Sequence, residues 1–440
     1  MFRNFLTVEP LRVVVIGGGA AGFFSAIAAA KSNPRARVIL LEASSQPLAK
    51  VRISGGGRCN VTHACFDPKV LIQNYPRGGK ALLGAFTRFQ PQDTVAWFAK
   101  NGVQLKTEAD GRMFPITDSS ETIVNCLMDA AKAARVELRT GMVVVGVRRG
   151  GGKGVIGREV EFLPLSNFEV ILKSGEKLPC DRLLLATGSN PLGYKIAQQM
   201  GHIIEKPVPS LFTFNIRDQK LRELAGVSTN YAKLRLIVPE YPPLEQTGPL
   251  LITHWGMSGP AVLKLSAWGA RALHSSNYQA TLLINWLPQL QPEQVRQQLL
   301  AVKNDSPKRL ITSHRGVDLP HRLWQYIISR VGISAENRWA ELSNKKLNQL
   351  IQELSQGKYL INGKGVFKEE FVTCGGINLK EVNFKTMESK LVPGLYFAGE
   401  ILDIDGVTGG FNFQSAWTTA YLAGLAIVHL ESTKPLTVNS

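Results

Sequence analysis

VVVIGGGAAG, residues 13–22, sets a β-branched run directly against a glycine turn. Val13 to Ile16 is apolar on both faces, as a strand buried inside a parallel sheet must be. Gly17, Gly19 and Gly22 then satisfy G-x-G-x-x-G, and Ala20 to Ala30 continues as a small-residue helix, with Pro34 beyond its end. In such a unit the first glycine makes the tight turn, the second admits a pyrophosphate to the backbone, and the third lets helix and strand approach. The amides of the first helical turn, those of Ala20 and Ala21 among them, supply donors and partial positive charge. The next strand, Arg37 to Glu42, ends in a carboxylate twenty positions after Gly22. Glu42 can accept hydrogen bonds from the adenosine ribose hydroxyls and would repel a 2'-phosphate, so NADP is not expected here. NAD and FAD are equally served by these residues.

Later segments choose FAD. LLLATG, residues 183–188, resembles the internal ATG motif of flavoproteins with two dinucleotide-binding domains, in which Ala186, Thr187 and Gly188 would pass beside the cofactor. GLYFAGEILD, residues 394–403, resembles the strand-plus-acid element of the same superfamily, which makes Gly399 neighbour to the cofactor and Glu400 the acid for its ribityl chain. Gly409, Gly410, Phe411, Asn412, Phe413 and Gln414 lead into a helix reaching about His429. Aimed at the flavin pyrimidine ring, that helix start would stabilise the negative charge that collects at N1 and C2=O on reduction. Ser54-Gly55-Gly56-Gly57-Arg58-Cys59-Asn60 offers backbone N–H groups at close range, with Arg58 as a phosphate or flavin partner and Lys50 just upstream as a further contact.

Read together, VVIGGGAAG, SGGGRCN (54–60), THWGMSGPAVL (253–263), TCGGI (373–377) and GLYFAGEILDIDGVTGGFNFQSAW resemble the bacterial NAD(P)/FAD-dependent oxidoreductases that include aminoacetone-oxidase-like and bile-acid enone reductase-like flavoproteins. The resemblance covers nearly the whole chain. It implies an α/β fold: a discontinuous Rossmann-like FAD domain with an inserted β-rich domain and a helical subdomain. The change of sequence texture agrees, and the expected division is 1–194 and 366–440 for the FAD domain, 195–290 for the β-rich insert and 291–365 for the helical part. A hairpin tip is expected at GGGKGVIG, residues 150–157. The resemblance also implies that Thr373, Gly375 and Gly376 lie by the isoalloxazine.

Two residues of THWGMSGPAVL are candidates for chemistry: His254 as general acid or base, and Ser258 as a carbonyl-binding hydroxyl. Against that stands a plainer reading of Ser258-Gly259-Pro260 as a helix start with proline in its first turn. Cys59 and Cys65 have five residues between them, not the four of a disulfide-reductase redox pair, and a packed thiol is the expectation for Cys59. Trp97, Trp255 and Trp417 receive no functional role.

The chain of 440 residues is long enough for more than one core, and its five cysteines form neither a disulfide framework nor a metal-ligand spacing, so no metal is expected. No apolar stretch approaches the roughly 20 residues of a membrane span, and MFRNFLTVEP lacks the core of a secretory signal, so a cytoplasmic enzyme is the default. The net charge of +17 favours anionic partners, yet no compact basic run marks a nucleic-acid site. The leading expectation is therefore an FAD-dependent oxidoreductase passing hydride through flavin N5 to or from a small organic substrate. A conjugated enone fits the resemblance, amine or aminoketone oxidation stays open, and the single fingerprint leaves NAD(P)H only a transient role as electron donor. The alternatives are an FAD-dependent RNA-modifying enzyme and a non-catalytic flavin redox sensor; oligomeric state is not legible.

Overall fold

The computed structural model describes residues 9–150, 167–365 and 372–429, and the chain divides into two compact units, Met1–Pro207 with Gly375–Ser440, and Val208–Cys374. The hairpin tip expected at 150–157 falls almost wholly outside the described residues.

The first unit is built on a seven-stranded sheet. Its parallel part runs Leu395–Phe397, Arg182–Leu185, Arg12–Ile16, Arg37–Leu41 and Glu137–Arg139, with two short antiparallel strands, Val382–Asn383 and Glu388–Ser389, beyond Leu395–Phe397. The strand Arg12–Ile16 is central, and Val13, Val14 and Val15 are buried, as their apolar run requires. Register brings Ile16 level with Leu41 on one side and Leu185 on the other, and Leu185 level with Phe397. Four strands consequently end at one height, and the residues after them form one rim.

The opening helix Ala20–Ser32 packs on the closing helix Phe411–Ile427, a contact sealed by Phe24, whose ring centre lies 5.3 Å from that of Trp417. Small residues allow it: a side chain at Gly424 would place Cβ 2.5 Å from the carbonyl oxygen of Ser25. The helices expected near 93–100 and 120–134 are Pro91–Lys100 and Ser120–Ala133, and the meander after Val143 is a three-stranded antiparallel sheet, Val144–Arg149, Phe168–Leu172 and Lys177–Cys180.

The second unit is a closed six-stranded barrel in the order Phe214–Ile216, Gly256–Ser258, Leu244–Thr253, Ser228–Ile237, Gln279–Asn285 and Gly357–Lys364. Three helices, Pro292–Asp305, His321–Arg330 and Asn344–Gln356, interrupt it between its last two strands. Leu282 and Ile284 of the barrel share one core with Trp324, Trp339, Leu350 and Leu354 of the helical segment. The stretches 195–290 and 291–365 thus meet in one hydrophobic interior. The chain passes between units at Pro207 and Cys374, later than 194 and 365 on both passes. His202 shows why on the first pass: it is buried within the first unit, bonded to Glu381 (3.0 Å) and Ser389 (2.9 Å).

Gly424→Leu forces apart the two helices that close the first unit. Overpacking of this kind costs about 1–3 kcal/mol, and a lowered midpoint in thermal denaturation of the variant is the expected result.

Candidate functional site

The rim of the first unit collects most of the residues singled out from sequence. Gly17 turns the chain at φ +111°, and a Cβ there would lie 2.4 Å from the carbonyl oxygen of Ala186. Gly22 is excluded from carrying a side chain by the carbonyl oxygen of Gly17, 1.8 Å from where its Cβ would stand. Gly19 is different. It is the N-cap of the opening helix, has no side-chain cap and has open space where a Cβ would be. The first-turn N–H groups of a helix have no intrahelical partner, so this uncapped start presents donors to a ligand.

Glu42 stands beside that turn, with Oε2 accepting from Gly18 N at 2.7 Å and Oε1 from Ser44 N at 2.8 Å. Two backbone bonds fix the carboxylate, and each oxygen keeps a second lone pair for a ribose hydroxyl. At the neighbouring strand ends, Gly399 is tight against Ala21, Gly188 against Glu400, and Lys50 Nζ meets Glu400 Oε2 at 2.5 Å. Fingerprint, internal strand and late acid are therefore one constellation.

The helix beginning at Ala49 breaks at Ser54, and Gly55, Gly56 and Gly57 take left-handed φ of 58°, 70° and 83°. Consecutive N–H groups in such turns form an anion-binding concavity, and Gly56 and Gly57 face open space. Asn60 ties this loop to the closing helix: with its amide oriented to suit both neighbours it donates to Thr62 O (3.0 Å) and accepts from Gly410 N (2.9 Å). Gly375 and Gly376 lie against the carbonyls of Lys206 and Ile401.

Several side chains expected at the cofactor are engaged by the fold. Arg58 pairs with Glu108 at 2.6 Å and covers the Phe114 ring at 4.0 Å, so its charge is already countered. Gln414 is fully buried, accepting from Thr62 (2.6 Å) and Thr94 (2.9 Å) and donating to Thr418 (3.0 Å). Asn412 closes the loop before it through Gly406 N and O, both at 2.8 Å. The ring of Phe411 stacks on His63, whose Nδ1 donates to Gly409 O at 3.0 Å. What these positions offer a ligand is backbone. Cys59 and Cys65 are both free; Cys59 is wholly buried, and burial pushes its thiol up to about 12.

Two hydroxyls join this set, that of Thr187, expected beside the cofactor, and that of Tyr194, which no motif marked. The Oγ1 of Thr187 and the phenol of Tyr194 are buried with no hydrogen-bond partner. Tyr194 is only 6% exposed, and burial, with Glu400 and then Asp403 nearby, raises its pKa, so it remains a donor. A buried orphan donor beside the late acid asks for an acceptor. An FAD molecule matches this set: uncapped helix amides for its phosphates, Glu42 for the adenosine ribose, and Glu400 with the Thr187 and Tyr194 hydroxyls for the polyol.

In the second unit, His254 and Trp255 form the exposed turn between the barrel strands Leu244–Thr253 and Gly256–Ser258, with Trp255 55% exposed. Ser258 pairs with Leu251, and Pro260 opens a helix capped by Gly259, the plainer reading of that motif. Thr373 is buried in the strand Val372–Ile377. Among the described residues no helix is long and apolar enough to cross a membrane.

Comparison with known proteins places this geometry. The family model described as HI0933-like protein Rossmann domain matches residues 11–426. The chain is similar to a 3-dehydro-bile acid delta(4,6)-reductase of Clostridium scindens, 29% identical over 94% of this chain and 98% of the relative. It is also similar to a ribosomal RNA dihydrouridine synthase of Escherichia coli, 30% identical over 97% of this chain and 100% of the relative. A solved 3-ketosteroid delta1-dehydrogenase of Sterolibacterium denitrificans shares the fold, with a TM-score of 0.51 at 12% identity, covering 96% of this chain and all of that one.

Glu42→Arg removes the acceptor of Gly18 N–H and the ribose, and the variant is expected to purify without visible flavin absorbance. The Cys59 thiol predicts a pH effect. Its folded pKa, about 12, lies above its ordinary value of 9.0, so the contribution to stability is complete below about pH 9 and is lost as pH rises toward 12. Denaturant titrations of wild type and Cys59→Ala across that window should show a steeper fall for the wild type.

Proposed function

The chain belongs to the HI0933-like family, and from that premise we propose that this FAD-dependent oxidoreductase saturates a carbon–carbon double bond conjugated with a carbonyl. The observation that supports the proposal is the rim that carries the uncapped Gly19 together with Glu42, Gly188 and Glu400, a set suited to one dinucleotide. The reaction class comes from the relatives. A delta(4,6) double-bond system beside a 3-keto group and the C5=C6 bond of uracil beside its C4 carbonyl are chemically the same problem: hydride adds to the β carbon and a proton to the α carbon.

When bound, FAD supplies the hydride chemistry at N5. The protein binds and orients: first-turn amides at Ala20 and Ala21 hold phosphate, Glu42 holds ribose, and Glu400, oriented by Lys50, holds the polyol. The start of the helix Phe411–Ile427 favours negative charge at the pyrimidine ring. We assign the proton for the α carbon to His254, which lies on an exposed turn. NAD(P)H is the proposed electron donor, binding transiently, because among the described residues only Gly17 to Gly22 sets G-x-G-x-x-G between a strand and a helix.

A small enone is the leading substrate. A uracil base within RNA is the second reading, favoured by the net charge of +17 and by the dihydrouridine synthase relative. Phosphate contacts would make RNA turnover fall steeply with salt, whereas reduction of a neutral enone would not follow that slope.

Anaerobic reduction of the yellow protein with NADH or NADPH, followed by addition of a steroid enone or unmodified ribosomal RNA, separates the two. Reoxidation by the enone alone supports the first reading, by RNA alone the second, and by neither overturns both. His254→Ala is expected to slow turnover about a hundredfold with the flavin spectrum unchanged; wild-type turnover would remove His254 from the chemistry.

A further inference from the structure

We propose that the buried ion pair of Arg77 and Asp405 is a positioning device for the flavin half of the site, an inference that rests on the FAD reading above. Arg77 lies outside the quoted motifs, and Asp405, inside GLYFAGEILDIDGVTGGFNFQSAW, was given no role there. Asp405 is 0% exposed, and Arg77 grips it with two nitrogens, Nε on Oδ1 at 2.5 Å and Nη2 on Oδ2. The same residues also form an antiparallel backbone bridge. Such a fork fixes direction as well as distance, which a lysine cannot do.

The surrounding bonds show what is being held. Val407 N donates to Asn74 O at 2.8 Å, the Tyr75 hydroxyl donates to Phe411 O at 2.6 Å, and Gly78 lies against Ile404. The segment 74–78 thereby grips the loop 404–411 at its beginning, middle and end. That loop delivers Gly409, Gly410 and the first turn of the closing helix, whose amides and dipole face the flavin pyrimidine in the proposed function. Dipoles contribute to catalysis only when they are fixed before the charge develops. Arg77 has a second effect. Its guanidinium offsets part of the negative charge of the buried Asp405 carboxylate, which precedes the same helix start and would oppose charge on the reduced ring.

A less buried fork for comparison stands at the other end of the same sheet. Arg12 holds Asp181 through Nη2 at 2.8 Å and Nε at 3.2 Å, where the strands begin rather than where they end. A merely structural pair in either place would lower thermal stability and leave the flavin alone.

The test compares purified Arg77→Met, Arg77→Lys and Arg12→Met with wild type by thermal midpoint, FAD dissociation constant on reconstitution, and flavin midpoint potential. Arg77→Met should weaken FAD binding about tenfold or more and shift the potential to more negative values, as expected when a cation beside a buried carboxylate is removed. Adding Asp405→Leu should return the potential toward wild type while FAD binding stays weak, because the charge is gone but the grip is not restored. Arg12→Met should change the thermal midpoint alone. If Arg77→Met does not fold, Arg77→Lys and Asp405→Asn carry the comparison, since both keep polar volume. Arg77 variants that lower the thermal midpoint as Arg12→Met does, with FAD affinity within about twofold and an unmoved potential, overturn the proposal. A wild-type protein that binds no FAD fails the underlying reading instead, and the two failures are told apart before any variant is made.

Discussion

Between the Cα of Gly17 and the carbonyl oxygen of Ala186 there is no room for a side chain: a Cβ would stand 2.4 Å from that oxygen. The architecture of the first unit follows from this approach. It requires two parallel strands to end at the same height, which their register provides by placing Ile16 opposite Leu185. It lets the chain turn at once into the opening helix, whose Gly22 must then lie on the carbonyl of Gly17. Glu42 completes the arrangement by taking the Gly18 N–H, tying a third strand end to the turn. The remaining rim residues, Gly188, Gly399 and Glu400, reach the same place because Leu395–Phe397 continues the register.

How much of this was legible depends on the range of the interaction involved. The strand, turn and helix of residues 12–32 are encoded by neighbours a few positions apart, so pattern alone reveals them. The same holds for the helices at 91–100 and 120–133. Side-chain roles were harder. Gln414 reads as a cofactor contact, yet its amide is occupied by Thr62 and Thr94, more than 300 residues earlier. Arg58 reads as a phosphate partner, yet Glu108 and Phe114 hold it. Arg77 and Tyr194 carried no local signal, and Asp405 sits in a quoted motif without a role of its own, because each acquires its importance from distant chain segments. No short-range pattern announces a buried orphan hydroxyl or a carboxylate whose partner lies 328 residues away.

The second unit illustrates the same contrast at the level of cores. A change from strand-like to helical texture near residue 290 suggested separate pieces, but Leu282 and Ile284 of the barrel meet Trp324 and Trp339 of the helical segment in one interior. Texture reports the period of local hydrophobicity; it does not report which faces pack together. The exposed turn carrying His254 and Trp255 is anchored by the barrel through Trp255 O, which accepts from Ile216 N at 3.0 Å. The exposed His254 is thereby carried on a turn fixed to the barrel.

The packing of the helix Ala20–Ser32 on Phe411–Ile427 has a further consequence, for the order of events at the ribosome. Phe23, Phe24 and Ile27 lie on a helix made well before the one that carries Trp417 and Ala420. At roughly 5–20 residues per second, the interval between the two is on the order of a minute. Throughout it the opening helix lacks its partner and the nascent chain exposes an apolar face. The contiguous segment Val208–Cys374 has no such dependence and can fold while synthesis continues. The residues proposed for the cofactor cradle, Gly22 and Glu400 among them, are therefore brought together only once chain segments far apart in sequence have both been made.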